Sequence, residues 1–83
     1  MWKLEYSSEA EKFILLLDKR DNTRIKNAVE SLVDNPDLGK QLVGPLKGLR
    51  SLRVGKYRVI YKKEKEKFII FVVAIGLRKN IYK

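Results

Sequence analysis

Two segments in which apolar residues alternate with polar or basic ones, 49–54 and 57–63, are separated by only Gly55 and Lys56. A period of two predicts β-strands, and a two-residue connection between strands predicts an antiparallel hairpin. Glycine at the first turn position is typical of a type II′ turn. The sequence therefore predicts a β-hairpin whose geometry constrains the rest of the chain.

The short turn also fixes which residues of the two strands lie opposite each other. The expected cross-strand pairs are Val54 with Tyr57, Arg53 with Arg58, Leu52 with Val59, and Ser51 with Ile60. Because side chains alternate along a strand, the apolar residues at 52, 54, 57 and 59 share one face, which we expect helices to cover. Arg53 and Arg58 then project together from the other face. Facing like charges destabilise a sheet by roughly a few tenths of a kcal/mol, so the pair indicates a site for a polyanion.

The segment before the hairpin has helical spacing. Ser8 and Glu11 form a capping box, and the apolar residues that follow predict a first helix that runs to about Lys19. Asp21 or Asn22 is expected to cap a second helix.

The Asn-Pro pair at 35–36 is expected to end this second helix, because the residue before a proline avoids the helical conformation. The short connection between the two helices implies an antiparallel helical hairpin.

Further strands are expected at both ends of the chain. Residues 3–6 alternate and predict a first strand, whereas the glycines and proline of residues 37–48 predict a loop. Residues 67–75 are largely apolar on both faces, predict the central strand, and are expected to end at Gly76. The fold class is therefore α+β with the order β-α-α-β-β-β. A two-helix hairpin packs on one face of a small, largely antiparallel four-stranded sheet, in a single domain over residues 1–83.

The charge of the chain is unevenly distributed. Residues 1–39 contain six basic and eight acidic side chains, whereas residues 40–83 contain thirteen basic and two acidic ones. A half with a net charge of +11 favours a polyanionic partner, of which nucleic acid is the commonest, although an acidic protein would also fit.

The composition restricts the available chemistry. The chain has no Cys and no His, which excludes disulfides, thiolate or imidazole metal sites and imidazole acid–base catalysis. The acids are distant in sequence from the basic cluster, so we expect neither a metal nor another cofactor. The longest apolar run, 68–75, is far shorter than the roughly 20 residues that span a bilayer. With no signal peptide either, the expectation is a soluble cytoplasmic protein.

The candidate site residues are basic or aromatic. Near Arg53 and Arg58 the sequence places Lys47, Arg50, Lys56, Arg78 and, with less support from the residues alone, Tyr82. Exposed arginines on a sheet are often only solvated, but no acid interrupts residues 38–63. Guanidinium groups can bind a phosphate with two hydrogen bonds and stabilise charge that develops on it. RNA supplies its own attacking 2′-OH, so metal-free cleavage by such residues would favour RNA over DNA.

Two segments of the chain resemble the RelE/ParE superfamily of bacterial and archaeal toxins. Residues 46–61 (LKGLRSLRVGKYRVIY) are similar to the family's Leu-x-Gly loop and its Arg-Val-Gly-x-Tyr-Arg-Val-Ile-Tyr hairpin. Residues 73–82 (VAIGLRKNIY) are similar to the Gly-x-Arg-x-x-x-Tyr close of RelE-type members. With the helical hairpin ending in Asn-Pro, the resemblance covers nearly the whole chain.

The resemblance implies a ribosome-dependent mRNA endonuclease that works without metal by 2′-OH attack and leaves a cyclic phosphate. It implies that Arg53 lies near the 2′-OH, Arg58 stabilises the phosphate in the transition state, and Arg78 lies near the leaving oxygen. Tyr82 would stack on the substrate base. The residues that would hold ribosomal RNA or message are Lys47, Arg50 and Lys56.

The resemblance also implies partners: a cognate RelB-like antitoxin, the ribosome and mRNA. The toxin alone is expected to be a monomer that forms a larger assembly with its antitoxin. One residue departs from the family pattern, and one assignment within the pattern stays open. Leu77 stands where many relatives have His, and either Arg50 or Arg53 could be the key basic residue of its strand.

Two other functions compete with the nuclease. A ParE-like toxin would share the fold but bind and poison DNA gyrase without cleaving RNA itself. A nonenzymatic RNA-binding module is the third hypothesis. The presence of both Arg78 and Tyr82 favours the nuclease, since ParE-like members usually lack the full set.

Overall fold

The computed structural model describes residues 1–79 of the chain. Its elements in chain order are β1 (Lys3–Tyr6), α1 (Ser8–Leu15), α2 (Lys19–Asp34), β2 (Lys40–Gln41), a 3₁₀ turn (Gly44–Leu46), β3 (Arg50–Val54), β4 (Tyr57–Glu64) and β5 (Ile69–Leu77). The five strands form one sheet in the order β1-β5-β4-β3-β2. The β1–β5 pair is parallel and the other pairs are antiparallel. The predicted α+β class is confirmed.

The sheet has five strands rather than the expected four, because residues 37–48 contain the short strand β2 as well as a loop. Two residues are too few to produce a periodic pattern, and β2 exists through its pairing with β3. The sequence predicted β5 as the central strand. Strand β5 does lie inside the sheet, between β1 and β4, but the central strand is β4. It also continues past Gly76, since Leu77 pairs with Tyr57 of β4.

The hairpin register is confirmed at every predicted pair. Arg53 lies opposite Arg58, and the Val54–Tyr57, Leu52–Val59 and Ser51–Ile60 pairs also form. Gly55 has a φ of +59°, a left-handed conformation that glycine adopts without strain. The residues expected to face the helices pack into the core, Leu52 only partly.

The helix boundaries differ from the sequence predictions. The residue that caps α1 is Ser7, not Ser8: its hydroxyl oxygen accepts a hydrogen bond from the Ala10 N–H at 3.0 Å. The same hydroxyl donates to the Val73 carbonyl at 2.7 Å, so Ser7 fastens the helix start to β5. This second bond depends on the sheet and has no signal in the local sequence.

The connection between the helices lies earlier in the chain than predicted. Helix α1 ends at Leu15 rather than near Lys19, and the cap of α2 is Asp18 rather than Asp21 or Asn22. The Asp18 carboxylate accepts from the Asp21 N–H at 2.9 Å. Residues 19–22, which the sequence placed at the break between the helices, thus form the first turn of α2, because polar and acidic residues are favoured there as well as in loops. The end of α2 before Pro36 is confirmed.

The core lies between the helix pair and one face of the sheet. Its fully buried members include Ile25, Val29 and Leu32 from α2, and Val59 and Tyr61 from β4. The other face of the sheet, which carries Arg53 and Arg58, is called the distal face below. Among residues 1–79, no helix is both long enough and apolar enough to cross a membrane.

The two bonds of Ser7 lead to a stability prediction. Ser7→Ala should lower the free energy of unfolding by about 1–2 kcal/mol, because it removes the helix cap and leaves the Val73 carbonyl without this donor. Exposed Ser8 is the matched control, and Ser8→Ala should change little. Urea unfolding followed by circular dichroism measures both, and equal losses would contradict the assignment of the cap to Ser7.

Candidate anion-binding site

The distal face presents its two arginines side by side near the tip of the β3–β4 hairpin. Arg53 is exposed and Arg58 is partly buried. On the far side of Arg58, the paired residue of β5 is Gly76. Since glycine has no side chain, nothing from β5 stands beside Arg58 at this register position.

A groove of about 630 Å³ lies at this end of the sheet, lined by Lys56, Arg58, Leu77, Arg78 and Lys79. We call it the hairpin groove. The Arg78 N–H donates to the Lys56 carbonyl at 3.0 Å, which ties the end of β5 to the hairpin turn. This bond places Arg78 beside the hairpin turn, and Arg58 and Arg78 both line the groove. The described lining contains four cationic side chains and no acid, so the groove favours an anion.

Arg58 also contacts a residue that the sequence analysis did not single out. Its Nη1 donates to the Ser51 hydroxyl oxygen at 3.1 Å. Ser51 is 4% exposed although it lies on the distal face, away from the helices. The predicted register could have indicated this contact, because it places Ser51 and Arg58 at diagonal positions on the same face of the hairpin.

Arg50 is not part of the hairpin groove. It lies three residues before Arg53 on β3, so strand alternation turns it to the helix side of the sheet. Its Nη1 donates to the Gly39 carbonyl at 2.7 Å and to the Asp37 carbonyl at 3.3 Å, and its Nη2 lies 3.2 Å from the Asp37 carboxylate. Arg50 therefore holds the loop that leads into β2.

Tyr61 of β4 also binds the chain segment that leads into β2. Its hydroxyl donates to the Pro36 carbonyl and accepts from the Gly39 N–H, both at 2.8 Å. A Cβ at position 39 would lie 2.6 Å from the Tyr61 ring, so only glycine fits there. Burial raises the pKa of Tyr61, which keeps the hydroxyl protonated as a donor.

Lys47 and Arg50 line a second groove, also of about 630 Å³, together with Lys63 and Lys65. This loop groove contains an acid, Asp37, whose carboxylate is bonded by the ammonium of Lys63. That hydrogen bond holds the pKa of Asp37 below its usual value. The three residues predicted to bind RNA are thus divided: Lys56 lies in the hairpin groove, whereas Lys47 and Arg50 lie in the loop groove.

Tyr57 connects the hairpin to helix α2. Its hydroxyl donates to the Asp21 carboxylate at 2.7 Å. This bond, followed by burial, raises the pKa of Tyr57, since ionisation of the phenol would remove the donor and place two negative charges together. Tyr57 thereby fixes the strand that carries Arg58.

Two further predictions for the site concern Tyr82 and metal binding. Tyr82 lies outside the described residues. Among residues 1–79, no group of three or more acidic side chains is placed to hold a metal ion. The chemistry that the described part of the site offers is cationic: guanidinium and ammonium groups line the hairpin groove, and a guanidinium can bind a phosphate with two hydrogen bonds.

One protein-family model matches nearly the whole chain. Residues 4–82 match the family described as the ParE toxin of type II toxin–antitoxin systems, parDE. The chain belongs to this family. It is therefore a toxin of a type II toxin–antitoxin system, within the RelE/ParE superfamily that its hairpin resembles.

Solved structures of similar fold are also toxins. The toxin–antitoxin complex RelBE2 from Mycobacterium tuberculosis matches with a TM-score of 0.84 at 24% identity, over 93% of this chain and 98% of that chain. The isolated RelE toxin of E. coli matches with a TM-score of 0.79 at 20% identity, over 99% and 92%. The YoeB/ParE toxin from Agrobacterium tumefaciens matches with a TM-score of 0.77 at 20% identity, over 92% and 98%. At these identities the likeness establishes the fold.

The comparison with curated protein sequences gives no significant match.

The different surroundings of the two β3 arginines in this toxin lead to opposite expectations for stability. Arg50→Ala should lower the free energy of unfolding by about 1–3 kcal/mol, because the carbonyls of Asp37 and Gly39 lose a charged donor. Arg53→Ala should change it by less than about 0.5 kcal/mol, since Arg53 is exposed and faces another positive charge. Chemical denaturation of both variants measures the difference. Similar losses in the two variants would contradict the assignment of Arg50 to the loop.

The Tyr57–Asp21 bond leads to a pH-dependence prediction. Because the folded-state pKa of Tyr57 is raised, the stability that this bond provides is present below the ordinary tyrosine pKa and is lost as pH rises through the folded-state pKa. Tyr57→Phe should therefore cost about 1–2 kcal/mol near neutral pH, and the difference from wild type should shrink in strongly alkaline solution.

Thermal unfolding across the pH range measures this difference. Asp21→Ala should give a similar loss, and the double variant should lose little more than either single variant, since both remove the same bond. Fully additive losses would show that the bond does not form in solution.

Proposed function

We propose that this toxin is a metal-independent endoribonuclease that cuts mRNA on the ribosome and so inhibits translation. The observation that carries the proposal is the convergence of Arg53, Arg58 and Arg78 at one end of the sheet, two by cross-strand pairing and one through the Arg78–Lys56 backbone bond. Family membership makes the chain a toxin, and the family resemblance assigns a catalytic role to each of these arginines.

In the proposed reaction the 2′-oxygen of the substrate forms a bond to phosphorus, and the bond from phosphorus to the 5′-oxygen breaks. The product is a cyclic phosphate, and the proton lost by the 2′-OH is balanced by the proton gained by the leaving oxygen. Arg53 lies near the 2′-OH, and Arg58 binds the phosphate as charge develops on it. Arg78 lies near the leaving oxygen and is the proton donor that the resemblance implies, while solvent accepts the proton of the 2′-OH and returns one to Arg78. Tyr82 stacks on a substrate base.

Arg53, rather than Arg50, is proposed as the key basic residue of β3. The support is geometric: Arg53 faces Arg58 on the distal face, whereas Arg50 lies on the helix side and binds the 37–39 loop. Lys56 would then contact message in the hairpin groove, and Lys47 would contact RNA at the loop groove. Arg50 would contribute to RNA binding mainly through the loop it orders.

The proposed partners are the ribosome, mRNA and a cognate RelB-like antitoxin, all in the cytoplasm. A related structure is a toxin–antitoxin complex, which supports an antitoxin partner. The cationic lining of the hairpin groove favours an acidic, partly helical antitoxin segment that covers Arg53, Arg58 and Arg78. The toxin alone would be a monomer.

The decisive experiment is cleavage of message on programmed ribosomes in the presence of EDTA. Wild-type toxin should cut, and Arg58→Ala should reduce the cleavage rate by about 10²–10³-fold, the usual cost of losing a group that stabilises transition-state charge. Arg20→Ala, an exposed arginine on α2, is the control for lost positive charge and should cut normally. Absence of cleavage by folded wild-type toxin would overturn the proposal.

The second candidate function is poisoning of DNA gyrase. It is kept because the matching family description names ParE and parDE. Gyrase-dependent DNA damage in cells that express the toxin, together with intact message in the ribosome assay, would favour this function over the nuclease.

A further inference from the structure

Apart from the tyrosines, Ser51 is the only buried polar side chain within residues 1–79. It lies on β3 opposite Ile60, which is also buried, and both residues belong to the distal face. A serine at such a position has no evident value for the sheet, because β-branched and larger apolar residues pack better there. A buried hydroxyl is also costly unless it is hydrogen-bonded. Its presence therefore needs an explanation in terms of what the hydroxyl contacts.

One contact of this hydroxyl is with Arg58. Nη1 of Arg58 donates to Oγ of Ser51 at 3.1 Å. Because Ser51 faces Ile60 and Arg58 faces Arg53, the bond crosses the hairpin diagonally. It directs the guanidinium group towards Ser51 instead of straight across to the positive charge of Arg53.

Fixing one nitrogen of a guanidinium fixes the direction of its other donors. The group is planar and carries five N–H donors in a rigid fork, so a bond at Nη1 limits rotation of the whole fork. Ser51 itself lies on a strand that pairs on both sides at this position, with Lys40 of β2 and with Ile60 of β4. A donor array held in this way needs no reorganisation when charge develops on a bound phosphate.

We infer that Ser51 is a positioning residue that orients the Arg58 guanidinium towards the scissile phosphate. This inference rests on the proposed nuclease function and deepens it, since it explains how Arg58 is aimed and why position 51 is polar. Ser51 acts through Arg58 and need not touch the RNA.

The test compares Ser51→Ala with wild type in steady-state cleavage on programmed ribosomes. The variant should lose about 10–100-fold in kcat, the scale of loss for a misplaced catalytic group, while KM stays within about twofold because the cation is still present. Ser51→Thr keeps the hydroxyl and should recover most of kcat. Ile60→Val is the matched control: it trims the partner across the strand pair, leaves the Arg58 bond in place, and should keep the wild-type kcat.

A second measurement does not depend on cleavage. Side-chain ¹⁵N NMR of Arg58 reports rotation of the guanidinium group about its Nε–Cζ bond, which a hydrogen bond at Nη1 slows. Rotation should be faster in Ser51→Ala than in wild type and unchanged in Ile60→Val. A wild-type spectrum in the folded Ser51→Ala variant would overturn the inference.

The two assays separate the inference from the proposed function. If wild type does not cut message, the nuclease proposal is overturned, and a faster Arg58 rotation in Ser51→Ala still supports the orienting contact. If wild type cuts and Ser51→Ala cuts with the same kcat, the inference is overturned and the nuclease proposal stands. A rise in KM with unchanged kcat would also overturn it, because Ser51 would then act in binding.

Discussion

The two-residue turn at Gly55-Lys56 sets the geometry on which the other features depend. It fixes the register of β3 against β4, and the register decides which side chains enter the core and which remain on the distal face. A shift of β4 by one residue would send Tyr57 and Val59 to the distal face and turn Arg58 into the core. The packing of the helices and the pairing of Arg53 with Arg58 are therefore two results of one backbone constraint, so the apolar core enforces the arrangement of the cations.

The basic half of the chain is divided into two surfaces with different electrostatic roles. In the loop groove, Asp37 pairs with Arg50 and Lys63, and part of the positive charge serves to order the chain around β2. In the hairpin groove the described lining has no acid, and its net positive charge favours an external anion. A net charge alone does not distinguish these roles. The distinction comes from the position of one carboxylate.

The features that the sequence predicted correctly are those set by short-range rules. The strand pairing follows from the turn, and the face of Arg53 follows from alternation. The same alternation places Arg50 on the helix side, so its separation from the site could have been derived from its three-residue distance to Arg53. The Ser7–Val73 and Arg78–Lys56 bonds could not, because each joins residues that only the assembled sheet brings together. Strand β2 was missed for the same reason: its two residues are defined by a neighbour.

The parallel pairing of β1 with β5 has a consequence for the biosynthesis of this toxin. Lys3 pairs with Ile69, so among the described residues the first strand in chain order has its one sheet neighbour in the last. Contacts between such distant segments form late and slowly. Until β5 has been synthesised, β1 and the helix start that Ser7 fastens to β5 lack the strand to which they bind. The nascent chain therefore cannot complete its fold until β5 has emerged from the ribosome. For a protein proposed to attack translating ribosomes, this delays the native structure until most of the chain has been made.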